Sequence, residues 1–124
     1  QRAVTVDPSC ALAWANLADI RGKQGSWNEA VECAAKATDL APADAIGWTN
    51  LGEALEHVGE LEQAAAACGR ALELEEADPS AWLVAGRVFH ALGRGRDAKA
   101  ALRRLRALDA GAARGLQEFM ELAP

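Results

Sequence analysis

The stretch AIGWTNLGEALEHVGELEQAAAACGRALELEEAD, residues 45–78, decides how this chain folds. When it is shifted by 34 residues in either direction, it meets another copy of its own pattern. Three columns carry the match: Trp14, Trp48 and Trp82; Gly25, Gly59 and Gly93; and Ala30, Ala64 and Ala98. A fixed period of this length indicates stacked structural repeats, in which each unit buries its apolar face against its neighbours.

The composition of the 124 residues favours helices. Hydrophobic residues make up 51%, alanine dominates them, and tyrosine is absent. This is typical of helical rather than strand-rich proteins. No run approaches the roughly 18 apolar residues that a membrane span needs, so no membrane partner is expected. The sequence shows no secretory leader and opens on Gln1 rather than methionine, so we expect a fragment of a longer array.

Cysteine usage argues against a disulfide framework and a zinc site, because Cys10, Cys33 and Cys68 show no CxxC spacing. The expected setting is therefore reducing and cytoplasmic. Charge is uneven: residues 1–86 hold 5 basic and 14 acidic groups, a net of −9, and residues 87–124 hold 8 basic and 4 acidic, a net of +4. The acidic part would repel phosphates, so no nucleic-acid partner is expected. The basic run of residues 94–106 either binds acidic protein or nucleic acid or, as we favour, is a solvated helix face.

Proline and glycine divide the chain into seven predicted helices. They span about 10–23, 27–40, 45–57, 61–75, 79–92, 96–108 and 112–122. Asp44 and Asp78 are predicted N-caps, Ser26 with Glu29 is predicted to form a capping box, and Gly111 is predicted to end the sixth helix. The small residues of one column, Ala18, Gly52 and Gly86, predict close contact between the two helices of each hairpin.

The motif of Trp48, Leu51 and Gly52, followed by Gly59, Ala64 and Ala71 and preceded by Pro42, resembles the tetratricopeptide repeat. Copies around Trp14 and Trp82 extend the resemblance from residue 11 to about 110. The family implies an all-α, right-handed α-solenoid of three helical hairpins, here with a C-terminal capping helix. The expected parts of this single domain, 1–124, are 1–8 as the end of a preceding repeat helix, repeats over 11–44, 45–78 and 79–111, and a capping or partial-repeat helix over 112–122.

The resemblance also implies a function. Proteins of this family hold a peptide or an extended protein segment in a concave groove lined by the first helices, and they seldom catalyse reactions. We therefore expect a non-catalytic interaction scaffold with a protein or peptide partner. The alternative is a substrate-recruiting or dimerising arm of an enzyme, such as a transferase, whose catalytic domain lies outside this fragment. The acidic body and basic end also predict weak self-association.

No nucleophile–base pair, phosphate loop or metal-binding motif is visible, so no catalytic, cofactor-binding or metal-binding residue is assigned. The predicted groove residues lie on the helix sides opposite the tryptophan column, where packing is not expected to need them. They are Asn16, Asp19, Asn50, Glu53, Glu56, Arg87 and His90. The alternative for these residues is a solvated polar face.

The predicted groove also indicates what kind of ligand to expect. The family's best-known site grips a peptide's terminal carboxylate with lysine, arginine and asparagine, and of its positions only Asn50 matches here. Asp19 would repel a carboxylate, so binding of a chaperone tail is not expected. The charges predict an extended ligand with a basic stretch over the first two repeats and an acidic or polar stretch near Arg87 and His90.

Overall fold

The computed structural model describes residues 8–122. Within them lie seven helices: α1 (Pro8–Lys23), α2 (Trp27–Leu40), α3 (Ala45–Val58), α4 (Leu61–Leu74), α5 (Pro79–Ala91), α6 (Gly95–Leu108) and α7 (Ala110–Leu122). The described part of the chain contains no strand. Successive helices pair as hairpins, each hairpin packs on the next, and α7 covers α5 and α6. The expected all-α solenoid of three hairpins and a terminal helix is confirmed.

Two of the expected boundaries differ from the structure or cannot be compared with it. The end of a preceding helix, expected over residues 1–8, lies outside the described residues except for Pro8, which opens α1. At the other end, α7 begins at Ala110 rather than at 112, so Gly111 lies inside α7 and does not end α6. The reason is Asp109, whose carboxylate accepts a hydrogen bond from the N–H of Ala112 at 3.1 Å. The division into repeats stays a prediction.

Most of the glycine turns and helix caps predicted from the sequence are present. Gly25, Gly59 and Gly93 have φ values of 81°, 89° and 77°, the left-handed conformation that ends the first helix of each hairpin at little cost for glycine. The carboxylates of Asp44 and Asp78 cap α3 and α5 by accepting from the backbone N–H groups two residues later. The prediction of a capping box at Ser26 is wrong, because the Ser26 side chain makes no capping hydrogen bond.

The small-residue column is only partly explained by contact within hairpins. A Cβ on Gly52 would lie 2.8 Å from Sγ of Cys68, so α3 and α4 approach as closely as expected. A Cβ on Gly86 would instead collide with Leu116 of α7. In the third repeat the glycine therefore makes room for the terminal helix, and close contact with α6 at this position stays a prediction.

Two tryptophans of the repeated column tie α3 and α5 to the loops that precede them. The indole N–H of Trp48 donates to the carbonyl oxygen of Pro42 at 2.8 Å, and that of Trp82 donates to the carbonyl oxygen of Glu76 at 2.7 Å. Both rings are half-buried and pack against the core. None of the helices in residues 8–122 is long and apolar enough to cross a membrane.

Candidate peptide-binding groove

The seven predicted groove residues all lie on the first helices of the hairpins. These helices are neighbours, because α3 contacts both α1 and α5. Asn16 and Asp19 on α1 are exposed. The others are half-buried: Asn50, Glu53 and Glu56 on α3, and Arg87 and His90 on α5. Five of the seven are therefore partly packed against their surroundings and not freely exposed.

Asn50 contributes to the fold as well as to the surface. Its side-chain Nδ2 donates to the carbonyl oxygen of Ala15 at 3.2 Å, a hydrogen bond between α3 and α1. The amide has a second N–H and an acceptor oxygen in addition. Asn50 therefore positions the two helices, and its remaining hydrogen-bonding groups can meet a ligand backbone.

Arg87 belongs to an ion pair between repeats. Its Nε and Nη2 donate to the carboxylate of Glu56 at 2.9–3.2 Å, and Nη2 lies 3.9 Å from Glu53. The Glu56 side chain is 12% exposed and that of Arg87 20%. Burial on its own would lower the pKa of Arg87, but the hydrogen bonds and charge of Glu56, with the charge of Glu53, outweigh it and raise that pKa. Glu56 therefore already engages Nε and Nη2 of Arg87, and a contact between Arg87 and a ligand stays a prediction.

His90 lies at the far end of the groove, against the terminal helix. Its ring meets that of Phe119 edge to face, with centroids 5.9 Å apart and planes at 70°. The structure therefore brings His90 to the boundary with α7, away from Asn16 and Asp19 at the other end.

A cleft of about 250 Å³ opens on this surface between α1 and α3, and we call it the α1–α3 cleft. It unites Asp19, Asn50 and Glu53 from the predicted set with four residues outside it. The lining is Ala18, Asp19, Gly22, Lys23, Trp27, Asn50 and Glu53. The ammonium of Lys23 lies 3.1 Å from the Asp19 carboxylate at the rim. The cleft thus combines acidic, amide and aromatic groups in one place.

Trp27 is the functional candidate that the sequence analysis missed. It is the first residue of α2, yet its ring lies against Gly22, where a Cβ would be 2.6 Å from a ring carbon. It also stacks on His57 of α3, with centroids 3.8 Å apart and planes at 4°. The sequence does contain one signal for Trp27. The residues one and two periods later are Leu61 and Gly95, so Trp27 differs from the residues at the same position of the other repeats.

A second, wider cleft of about 880 Å³ lies where the α2–α3 and α4–α5 loops meet. Ile46, which is 55% exposed, and Leu74 contribute apolar surface to it. Its carboxylates at Asp44 and Asp78 are already engaged with helix N-termini. Glu75 adds a third carboxylate to this cleft, which lies at the loops between hairpins.

Stacked helical hairpins whose first helices form one continuous surface define a helical-repeat protein. The family model described as tetratricopeptide repeat matches residues 16–81, more than half of the chain. The chain belongs to the tetratricopeptide repeat family. No curated protein matches it.

Solved structures share the fold over nearly the whole chain. The first TPR domain of human RPAP3 has a TM-score of 0.84 at 24% identity, covering 93% of each chain. The first TPR of Spaghetti (RPAP3), bound to the HSP90 peptide SRMEEVD, has a TM-score of 0.85 at 24% identity, covering 97% of this chain and 98% of that one. The TPR domain of Arabidopsis OM64 has a TM-score of 0.84 at 21% identity, covering 94% and 98%. At these identities the likeness shows the fold.

Proposed function

We propose that this chain is a non-catalytic scaffold that binds a peptide or an extended protein segment on the surface of α1, α3 and α5. The observation that carries the proposal is the α1–α3 cleft, which brings Asp19, Asn50 and Glu53 together on that surface. Solved structures with the same fold, such as the first TPR of Spaghetti, hold the peptide SRMEEVD. This supports a peptide as the class of ligand.

The charges of the groove favour a basic or polar ligand. Three carboxylates, those of Asp19, Glu53 and Glu56, face two cations, Lys23 and Arg87, which leaves a net charge of −1. SRMEEVD is rich in carboxylates, and like charges brought together at an interface are unfavourable. We infer that the ligand of this chain is not an acidic tail of that kind. With Arg87 held by Glu56, an acidic stretch over the third repeat is not supported either.

Selection from a displayed library of random peptides, followed by charge reversal, tests the proposal. Asp19→Lys reverses an exposed carboxylate of the groove, and Glu32→Lys reverses an exposed carboxylate on the outer helix α2. Surface substitutions usually change stability by less than about 0.5 kcal/mol, so both variants should remain folded. Selected peptides should bind Asp19→Lys at least about tenfold more weakly and Glu32→Lys as they bind the parent. Equal affinity for all three proteins would overturn the groove as the binding surface.

Asn50 and Glu53 are less suitable for this purpose. Asn50→Ala removes a hydrogen bond between helices, which typically costs about 1 kcal/mol. Glu53→Lys would place an ammonium near Arg87, which lies 3.9 Å from the native carboxylate. Either change would mix a loss of stability with a loss of binding.

A further inference from the structure

We propose that the α1–α3 cleft is a pocket for a single arginine side chain of the ligand. This assigns ligand chemistry to the groove and rests on the proposed function. The cleft measures about 250 Å³. Pockets that enclose a whole small-molecule ligand usually exceed about 300 Å³, so this one has the scale of one long side chain.

The acceptors of the cleft are incompletely compensated by cations of the protein. Glu53 lies 3.9 Å from Arg87, whose Nε and Nη2 are already bonded to Glu56 at 2.9–3.2 Å. Asp19 pairs with Lys23 one turn later, and both side chains are exposed. An exposed pair of this kind contributes little to stability, so a ligand cation can replace Lys23. The Lys23 ammonium shows that a cation can lie beside the Asp19 carboxylate at the rim of the cleft.

The aromatic wall favours arginine over lysine. Trp27 is held in place by stacking on His57 and by its contact with Gly22. A guanidinium is planar and weakly hydrated, stacks on indole rings, and presents a fork of N–H donors that matches a carboxylate. Asp19 and Glu53 supply the acceptors of the cleft, and the Trp27 indole, one face of which is covered by His57, lines the cleft beside them.

The first experiment is an NMR titration of the ¹⁵N-labelled protein at low salt. The probe is the blocked peptide acetyl-Gly-Ser-Arg-Ser-Gly-amide, and its control carries citrulline, which keeps the shape of arginine without the charge. We expect the arginine peptide to shift the signals of Gly22, Asn50, Glu53 and the Trp27 indole. The citrulline peptide should bind at least about fivefold more weakly. Equal shifts with both peptides, or shifts spread over the acidic surface outside the cleft, would overturn the pocket.

Four neutralised variants separate the pocket from general attraction between charges. Glu53→Gln should weaken binding of the arginine peptide about threefold or more, while Glu118→Gln on α7 should leave it unchanged. Lys23→Gln removes the competing cation and should tighten binding about twofold, while Lys36→Gln on α2 should not. If the variants within each pair behave alike, the effect is net charge and the inference fails. Thermal unfolding of each variant confirms that the fold is kept.

The two proposals can fail separately. If the arginine peptide leaves the cleft unshifted, yet library-selected peptides bind the parent and not Asp19→Lys, the arginine pocket is wrong and the groove stands. If selected peptides bind Asp19→Lys as they bind the parent, the groove is wrong and the pocket falls with it.

Discussion

The pKa and the reactivity of the Cys68 thiol are set by its surroundings. Its thiol is fully buried next to Gly52, and this burial, with the negative charge of Glu56, raises its pKa from 9.0 to about 12. Cys10, by contrast, is exposed. Because the thiolate is the reactive form, Cys68 should be inert in the folded protein.

Cys68 also makes the stability of the fold sensitive to alkali. Below about pH 9 the thiol is protonated in both states, and its contribution to stability is fully present. As pH rises from about 9 to 12, the unfolded chain releases the proton while the folded chain keeps it, so the free energy of unfolding should fall. Urea unfolding between pH 8 and 11 measures this fall. Cys68→Ala should show a shallower decline, and an identical pH dependence would contradict the assignment.

Contact between α3 and α4 is close at Gly52. A methyl group at Gly52 would lie 2.8 Å from the Cys68 sulfur, whereas one at Gly69 on α4 would meet nothing within 4 Å. Gly52→Ala should therefore cost about 1–3 kcal/mol through overpacking. Gly69→Ala should stabilise by about 0.5–1 kcal/mol, since alanine is the better helix former. Chemical denaturation of the two variants measures both effects, and equal changes would mean that the register of the repeat has been misread.

At the scale of helices and turns, the sequence predicts the features that are formed by residues close to one another in the chain. The caps at Asp44 and Asp78 and the glycine turns follow from local chemistry and were predicted correctly. The ion pair between Glu56 and Arg87 joins residues that are 31 apart in the sequence. Periodicity places both on first helices, but it does not reveal that one side chain reaches back to the other. Periodicity likewise does not predict where the Trp27 ring lies, because its orientation depends on the absence of a side chain at Gly22.

The whole molecule carries an unequal distribution of charge. The exposed residues Arg96, Lys99 and Arg103 follow a spacing that places them on one face of α6. The rest of the chain is acidic. We expect weak association between molecules that salt reverses, because exposed charges are screened at ordinary ionic strength. Sedimentation at several salt and protein concentrations measures it, and a strict monomer at millimolar protein and low salt would refute it.

The two junctions along the groove differ in their polar links. An ion pair with several hydrogen bonds joins α3 to α5, whereas the polar link between α1 and α3 is one neutral hydrogen bond, with apolar packing of the first hairpin against α3 beside it. Charge-assisted, multiply bonded contacts resist displacement more than single neutral ones. The hydrogen bond between α1 and α3 should therefore be displaced more readily than the ion pair between α3 and α5. The α1–α3 cleft lies beside that single hydrogen bond, so a side chain entering the cleft meets less resistance there than it would between α3 and α5.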